Sequence, residues 1–99
     1  MPFDFIPLDI KDVVLIKPKV FDDQRGFFSE VFKASEFEER GVTGPIVQVN
    51  HSRSQKNVLR GLHYQLNPKA QGKMVAVVLG EIYDVGVDLR KESSTYGNW

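Results

Sequence analysis

The chain has 99 residues, of which 41% are apolar and 26% are charged, a composition typical of one globular domain and too polar for a membrane-spanning protein. Thirteen Lys and Arg residues balance thirteen Asp and Glu residues, and this zero net charge excludes a general attraction to nucleic acid or anionic lipid. The absence of Cys excludes disulfides and thiolate chemistry, and the N-terminus lacks the features of a secretory signal. We therefore expect a cytoplasmic protein that binds neither nucleic acid nor membranes.

Apolar and polar residues alternate along most of the chain, with the period of two that is typical of β-strands. Turn residues such as Asp22-Asp23-Gln24 and Asn67-Pro68 separate the alternating segments and leave no room for crossover helices. The sequence therefore predicts an all-β fold built from antiparallel neighbours. Its predicted strands cover residues 13–20, 27–32, 46–52, 58–66, 73–79 and 82–89.

One short helix is predicted between the second and third strands, over residues 35–41. Ser35 is placed to cap its N-terminus, and Glu38, three residues later, completes the pattern of a capping box. Gly41 is placed to end the helix. We expect this helix to act as a connector and not as an element of the core.

The number of predicted strands is small for a closed β fold. Sandwiches and jelly rolls of this type usually close with about seven or eight strands, and an open sheet leaves unpaired edges. We therefore expect either a partner subunit or a missing C-terminal portion. The polar loop that ends the sequence at Trp99 favours a truncated chain.

Polar side chains interrupt several of the predicted strands. Glu30 shares a strand face with Phe28 and Phe32, and Gln48 and Asn50 share a face of the third strand. One face of an antiparallel sheet is commonly solvated, so these side chains fit an outer face as well as they fit the lining of a pocket. A buried site would have to supply each of them with a hydrogen-bond partner.

The fourth predicted strand carries Arg60 and His63 on either side of Gly61, where a β-bulge would turn both side chains towards one cavity. Taken alone, His63 fits a structural or exposed imidazole better than a catalytic one. Lys73, taken alone, fits a lysine at the end of a strand. Asp84 has apolar neighbours and would need a cationic or donor partner if it were buried.

A metal site is not expected. Small β-barrels often bind a metal ion through two histidines of one strand and a nearby carboxylate, but His63 is followed by Tyr64 and Gln65, and His51 lies in another segment. We expect neither a metal nor another cofactor. A candidate base accompanied by cations and amides suits an anionic substrate and proton transfer better than hydrolysis.

Five blocks of residues, taken together in their order and spacing, form a recognisable pattern. They are residues 23–30 (DQRGFFSE), 48–52 (QVNHS), 58–65 (VLRGLHYQ), 71–73 (QGK) and 84–90 (DVGVDLR). The pattern closely resembles that of the dTDP-4-dehydrorhamnose 3,5-epimerase family. The resemblance implies a cupin-type jelly-roll barrel, a homodimer that exchanges strands between subunits, and no metal. The implied reaction is epimerisation at C3 and C5 of dTDP-4-dehydro-6-deoxy-D-glucose, a dTDP-4-keto-6-deoxy sugar, to dTDP-4-dehydro-L-rhamnose.

The same resemblance implies roles for individual residues. His63 would be the general base that removes the protons next to the C4 ketone, and Lys73 would stabilise the enolate oxygen that results. Asp84 would have a supporting place near the site. The residues that would bind the nucleotide and the sugar are Arg25, Phe27, Glu30, Gln48, Asn50 and Arg60.

Family members are nearly twice as long as this chain. The missing half would contain the tyrosine that returns a proton on the opposite sugar face and the aspartate that orients the histidine. We therefore expect residues 1–99 to be a single domain, the N-terminal part of a jelly-roll epimerase, and to be inactive alone. Two alternatives remain: a related 3- or 5-epimerase or ketoisomerase, and a module that binds a nucleotide sugar without turnover.

Overall fold

The computed structural model describes residues 2–42 and 44–99, and its ordered elements are antiparallel strands with one short helix. The chain forms two compact units, Met1–Pro45 with Val85–Trp99, and Ile46–Asp84. The ordered elements agree with the predicted all-β class. Across the described residues, none of the helical structure has the length and apolar character needed to cross a bilayer.

A β-hairpin at the N-terminus begins the first unit. Strand β1, Phe3–Pro7, pairs antiparallel with β2, Val14–Pro18, and places Phe5 opposite Ile16. The turn between them contains Asp12 at φ 69°, a left-handed conformation that Asp tolerates better than most residues. Strand β2 confirms the strand predicted over residues 13–20, with shorter bounds, whereas β1 was not predicted.

A second hairpin follows directly. Strands β3, Phe21–Asp23, and β4, Gly26–Phe28, pair antiparallel with Asp23 opposite Gly26. Asp22 and Asp23 therefore belong to a strand, and the turn predicted there lies one to two residues later. The strand predicted over residues 27–32 is correct only at its start, because residues 29–32 form no ladder.

The short helix is a core element of the first unit. Helix α1, Ala34–Glu39, buries Phe37 to 1% exposure. The Phe37 ring makes edge-to-face contacts with Phe3, Phe5 and Phe32, at centroid distances of 5.1, 5.3 and 4.8 Å. The prediction that this helix is only a connector is therefore wrong, because three aromatic side chains converge on the single apolar residue of its inner face.

The ends of the helix agree only partly with the sequence pattern. Gly41, at φ +89°, follows the last turn and allows the left-handed ending that was predicted. Ser35, however, lies inside the helix, since Lys33 is the N-terminal cap and no side chain caps the helix there. The predicted capping box is therefore wrong, and the N-terminal cap lies two residues earlier than the pattern indicates.

Residues 88–98 form a closed loop in the first unit. The Asp88 backbone N–H donates to the Asn98 carbonyl at 2.9 Å, and the Gly97 N–H donates to the Asp88 carbonyl at 2.8 Å. The two ends of the segment are thereby held together, as in the compact Ω-loops of other proteins.

A buried carboxylate occupies the centre of this loop. Asp88, with a side chain only 1% exposed, accepts hydrogen bonds from Arg90 Nε at 2.9 Å, Ser93 Oγ at 2.6 Å and Thr95 Oγ1 at 2.6 Å. These donors replace the water that the carboxylate loses on burial. The Arg90 guanidinium also donates to Asp12 in the β1–β2 turn, at 2.7 Å, and so joins the loop to the first hairpin.

The Asp88 network predicts a specific pH dependence of stability. The hydrogen bonds from Arg90, then from Ser93 and Thr95, hold the pKa of the Asp88 carboxyl far below its ordinary value of 3.8. The native state therefore resists protonation, and the stabilisation is complete above that ordinary value and declines as pH falls below it. We expect Asp88→Asn to lower the free energy of unfolding at pH 7, as measured by urea denaturation, and the difference from the unmodified protein to shrink towards pH 2. A difference that does not change with pH would contradict this interpretation.

The chain between residues 46 and 89, all of it described, contains neither helix nor strand. Four predicted strands are therefore wrong for this structure, those over residues 46–52, 58–66, 73–79 and 82–89. Leu59 and Leu79 are 90% and 94% exposed. Alternation of apolar residues indicates which face of a strand favours burial, but a strand forms only where its backbone groups pair with a neighbouring ladder.

Candidate functional site

The β3–β4 hairpin presents two of the predicted binding residues in one recess. A cavity of about 240 Å³ is lined by Asp23, Arg25, Phe27 and their neighbours Gly26 and Phe28. The Phe27 ring is 74% exposed. A cation beside an exposed aromatic ring can bind a ligand that carries both an anionic group and a flat ring.

Arg25 is held by Asp23 within this recess. Its backbone N–H donates to Asp23 Oδ1 at 2.7 Å, and its Nε and Nη2 donate to Asp23 Oδ2 at 3.2 and 2.6 Å. This pairing lowers the pKa of the Asp23 carboxyl and raises that of the Arg25 guanidinium. Both groups therefore stay charged over the physiological pH range.

Glu30 lines a second and larger recess of the same unit. This cavity of about 460 Å³ is bounded by Glu30 and Phe28 together with Lys19 and Lys33. The structure thus brings Glu30 and Phe28 together, as their shared strand face predicts. Phe32, predicted on that face, instead contacts the helix, because residues 29–32 leave the strand.

The amides of the second unit are paired. Gln48 Nε2 donates to Asn50 Oδ1 at 3.1 Å, so the two side chains point the same way, as predicted from their spacing. Arg60 Nε donates to Ser54 Oγ at 2.9 Å. All three predicted binding residues of this unit are exposed and retain further hydrogen-bonding capacity.

The His63 imidazole lies against Gly61. A Cβ atom added at Gly61 would be 3.5 Å from His63 Nδ1, and Gly61 has φ +117°, which favours glycine. The predicted β-bulge at Gly61 is absent, because no strand forms there. Lys73 and Asp84 are exposed, and among residues 2–42 and 44–99 no hydrogen bond or ion pair joins either of them to His63. The joint action of His63 and Lys73 stays a prediction.

The predicted site residues are divided between the two units. Arg25, Phe27 and Glu30 belong to the first, whereas the six from Gln48 to Asp84 belong to the second. In the part of the chain that the structure describes, no three His, Asp or Glu side chains are grouped as metal ligands. The metal-free character of the site stays a prediction.

Sequence reasoning missed three charged residues of the recesses, namely Asp23 as the partner of Arg25, and Lys19 and Lys33 beside Glu30. For Asp23, the spacing Asp-X-Arg was an available signal, because an Asp side chain commonly accepts a hydrogen bond from the backbone two residues on. For the two lysines no local signal existed, since each lies outside the five motif blocks.

The family model described as dTDP-4-dehydrorhamnose 3,5-epimerase matches residues 7–99. Curated relatives named dTDP-4-dehydrorhamnose 3,5-epimerase include those of Shigella flexneri, 57% identical over 95% of this chain and 52% of the relative, and Salmonella typhimurium, 56% identical over 91% and 50%. A third, from Methanothermobacter thermautotrophicus, is 50% identical over 98% of this chain and 52% of the relative.

The chain spans about half the length of these curated relatives. The match to the family model nevertheless extends over almost all of its residues and over all five motif blocks. The chain belongs to the dTDP-4-dehydrorhamnose 3,5-epimerase family.

Proposed function

We propose that this protein takes part in the epimerisation at C3 and C5 of dTDP-4-dehydro-6-deoxy-D-glucose, which yields dTDP-4-dehydro-L-rhamnose. The observation that carries the proposal is the family match over residues 7–99, together with relatives at 50% identity or more that bear this activity in their names. The recess that combines Arg25 with an exposed Phe27 supports it, because a nucleotide has both an anionic and a flat aromatic part.

The proposed chemistry is proton transfer next to a ketone. A nitrogen of the His63 imidazole removes the proton from the carbon beside C4, and the electron pair moves onto the C4 oxygen. The Lys73 ammonium donates a hydrogen bond to that oxygen, because a fixed cation stabilises an enolate better than mobile water does. Imidazole suits the role of base since it titrates near physiological pH. Return of a proton to the opposite face completes the inversion.

Substrate binding is assigned to the remaining motif residues. Arg25 and Arg60 contact the diphosphate, and Phe27 stacks on the thymine ring. Gln48, Asn50 and Glu30 donate to or accept from the base and the sugar hydroxyl groups, and Asp84 supports the site. The exposure of these polar groups other than the half-buried Glu30, together with the Gln48–Asn50 pair, supports this assignment.

The proposed architecture is one cupin-type jelly-roll domain of which residues 1–99 are the N-terminal part, assembled as a cytoplasmic homodimer without a metal. Antiparallel hairpins with an aromatic core support a β-sandwich of this kind. Residues 1–99 then supply the base, the cation and the substrate-binding side chains, and they do not complete the inversion alone. The length of the relatives, about twice that of this chain, supports this last point.

Solvent deuterium incorporation tests the proposal. The full-length gene product, incubated in D₂O with the dTDP-4-keto sugar, should incorporate deuterium at both C3 and C5, detected by NMR, and should release the inverted sugar. Exchange at one carbon would instead indicate a related epimerase or ketoisomerase, and no exchange would indicate a binding module. The 99-residue chain, assayed in parallel, should release no inverted sugar.

A further inference from the structure

The sequence Asp-X-Arg occurs twice in the first unit with similar hydrogen bonds. In Asp23-Gln24-Arg25 the Arg backbone N–H and Nη2 lie 2.7 and 2.6 Å from the two carboxylate oxygens. In Asp88-Leu89-Arg90 the same two atoms lie 3.0 and 3.0 Å from theirs. Nε donates to the carboxylate in both cases, to Oδ2 in the first motif and to Oδ1 in the second. The aspartate therefore holds one edge of the guanidinium and fixes its direction.

The second motif shows which donors of the guanidinium can bind another group while the aspartate is paired. With Asp88 on one edge of the guanidinium, Nη1 of Arg90 donates to Asp12 Oδ2 at 2.7 Å. The outer edge of the paired arginine, the side that carries Nη1, thus binds a second oxyanion. Planar guanidinium has five N–H donors, which is enough for two carboxylate partners at once.

In the first motif, Asp23 also pairs with Nε and Nη2 of the arginine, and the outer edge is open. Nη1 of Arg25 has no hydrogen-bond partner among residues 2–42 and 44–99, and the Arg25 residue lines the same recess as Phe27. The Arg25 and Asp23 side chains are 91% and 49% exposed. An ion pair so exposed contributes little to folding stability, so the orientation of Arg25 is the main consequence of the pairing.

We propose that Asp23 is a positioning residue, which holds the Arg25 guanidinium so that its outer edge receives an oxyanion of a nucleoside diphosphate. The inference rests on the nucleotide-binding role proposed for Arg25 and adds to it a residue that acts through that arginine. A long flexible side chain loses rotamer freedom when it binds, and the carboxylate removes most of that freedom before the ligand arrives.

The test compares the affinity for dTDP, measured by calorimetry on the full-length protein, between the unmodified protein and four variants. Asp23→Asn keeps an oxygen to accept the Arg25 backbone N–H and preserve the turn, but it loses the charge and the second oxygen that hold the guanidinium. We expect roughly three- to tenfold weaker binding in this variant. Asp22→Asn removes the same charge one residue away, where the carboxylate has no hydrogen-bond partner in the described ranges, and should not weaken binding. In an Arg25→Ala background, Asp23→Asn should have no further effect.

The outcomes separate the possible roles. Unchanged or tighter binding in Asp23→Asn would overturn the inference. The Asp23 carboxylate would then either have no effect on dTDP binding or compete with dTDP for Arg25. Weaker binding that persists in the Arg25→Ala background would also overturn it, since the aspartate would then act on the turn and not through the arginine. If the unmodified protein fails to bind dTDP, the proposed function falls and this inference falls with it. If the unmodified protein binds dTDP and the Asp23 variant binds equally well, only this inference falls.

Discussion

Replacing His63 with Ala is expected to reduce deuterium exchange at C3 and C5 of the dTDP-4-keto sugar by roughly 10²- to 10⁴-fold, the usual contribution of a positioned general base. A proton bound to carbon leaves slowly without a base held in the right place. The Ala side chain supplies no such base, and water, which replaces it, is neither basic enough nor fixed. The rate is measured by NMR on the full-length protein, under saturating substrate.

The chain offers a matched control in its only other histidine. His51 is exposed and lies in another motif block, so His51→Ala removes the same group and should leave the exchange rate within a factor of about three, as for a surface substitution. Affinity for dTDP should be retained in His63→Ala, because the imidazole is assigned to the sugar and not to the nucleotide. Exchange that survives in His63→Ala would remove the base from the proposed mechanism.

The fold was predictable where a segment carries its own signal. The strand at β2 was found from the alternation of residues 13–20 and the short helix from the glycine that follows it, whereas β1, which pairs locally with β2, was not predicted. The core position of Phe37 was not predicted, because the rings that bury it belong to β1 and to Phe32. The sequence of a six-residue helix does not indicate such contacts. Residues 46–89 show the opposite error, because strands were predicted there and none formed. Alternation of apolar residues does not make a strand without a paired ladder.

The sequence predicts a set of candidate site residues, and the structure shows the arrangement of only some of them. Spacing in sequence placed the Gln48 and Asn50 amides side by side, and the structure pairs them. A resemblance to a family can assign a role to Arg25, but it does not reveal the Asp23 carboxylate that orients it. Contacts of this kind depend on the exact turn between two strands, and that turn lies one to two residues from the place indicated by composition.

Replacing Phe37 with Ala is expected to lower the free energy of unfolding of the first unit by about 3–5 kcal/mol, the usual cost of truncating a buried Phe. The ring is 1% exposed and is the common contact of Phe3, Phe5 and Phe32, so its removal leaves a cavity between the helix, β1 and the segment that contains Phe32. The loss is measured by urea denaturation. Phe27→Ala makes the same chemical change at a ring that is 74% exposed, and it should cost less than about 1 kcal/mol. Equal losses in the two variants would show that the aromatic cluster does not form the core of this unit and that the helix is, after all, only a connection between strands.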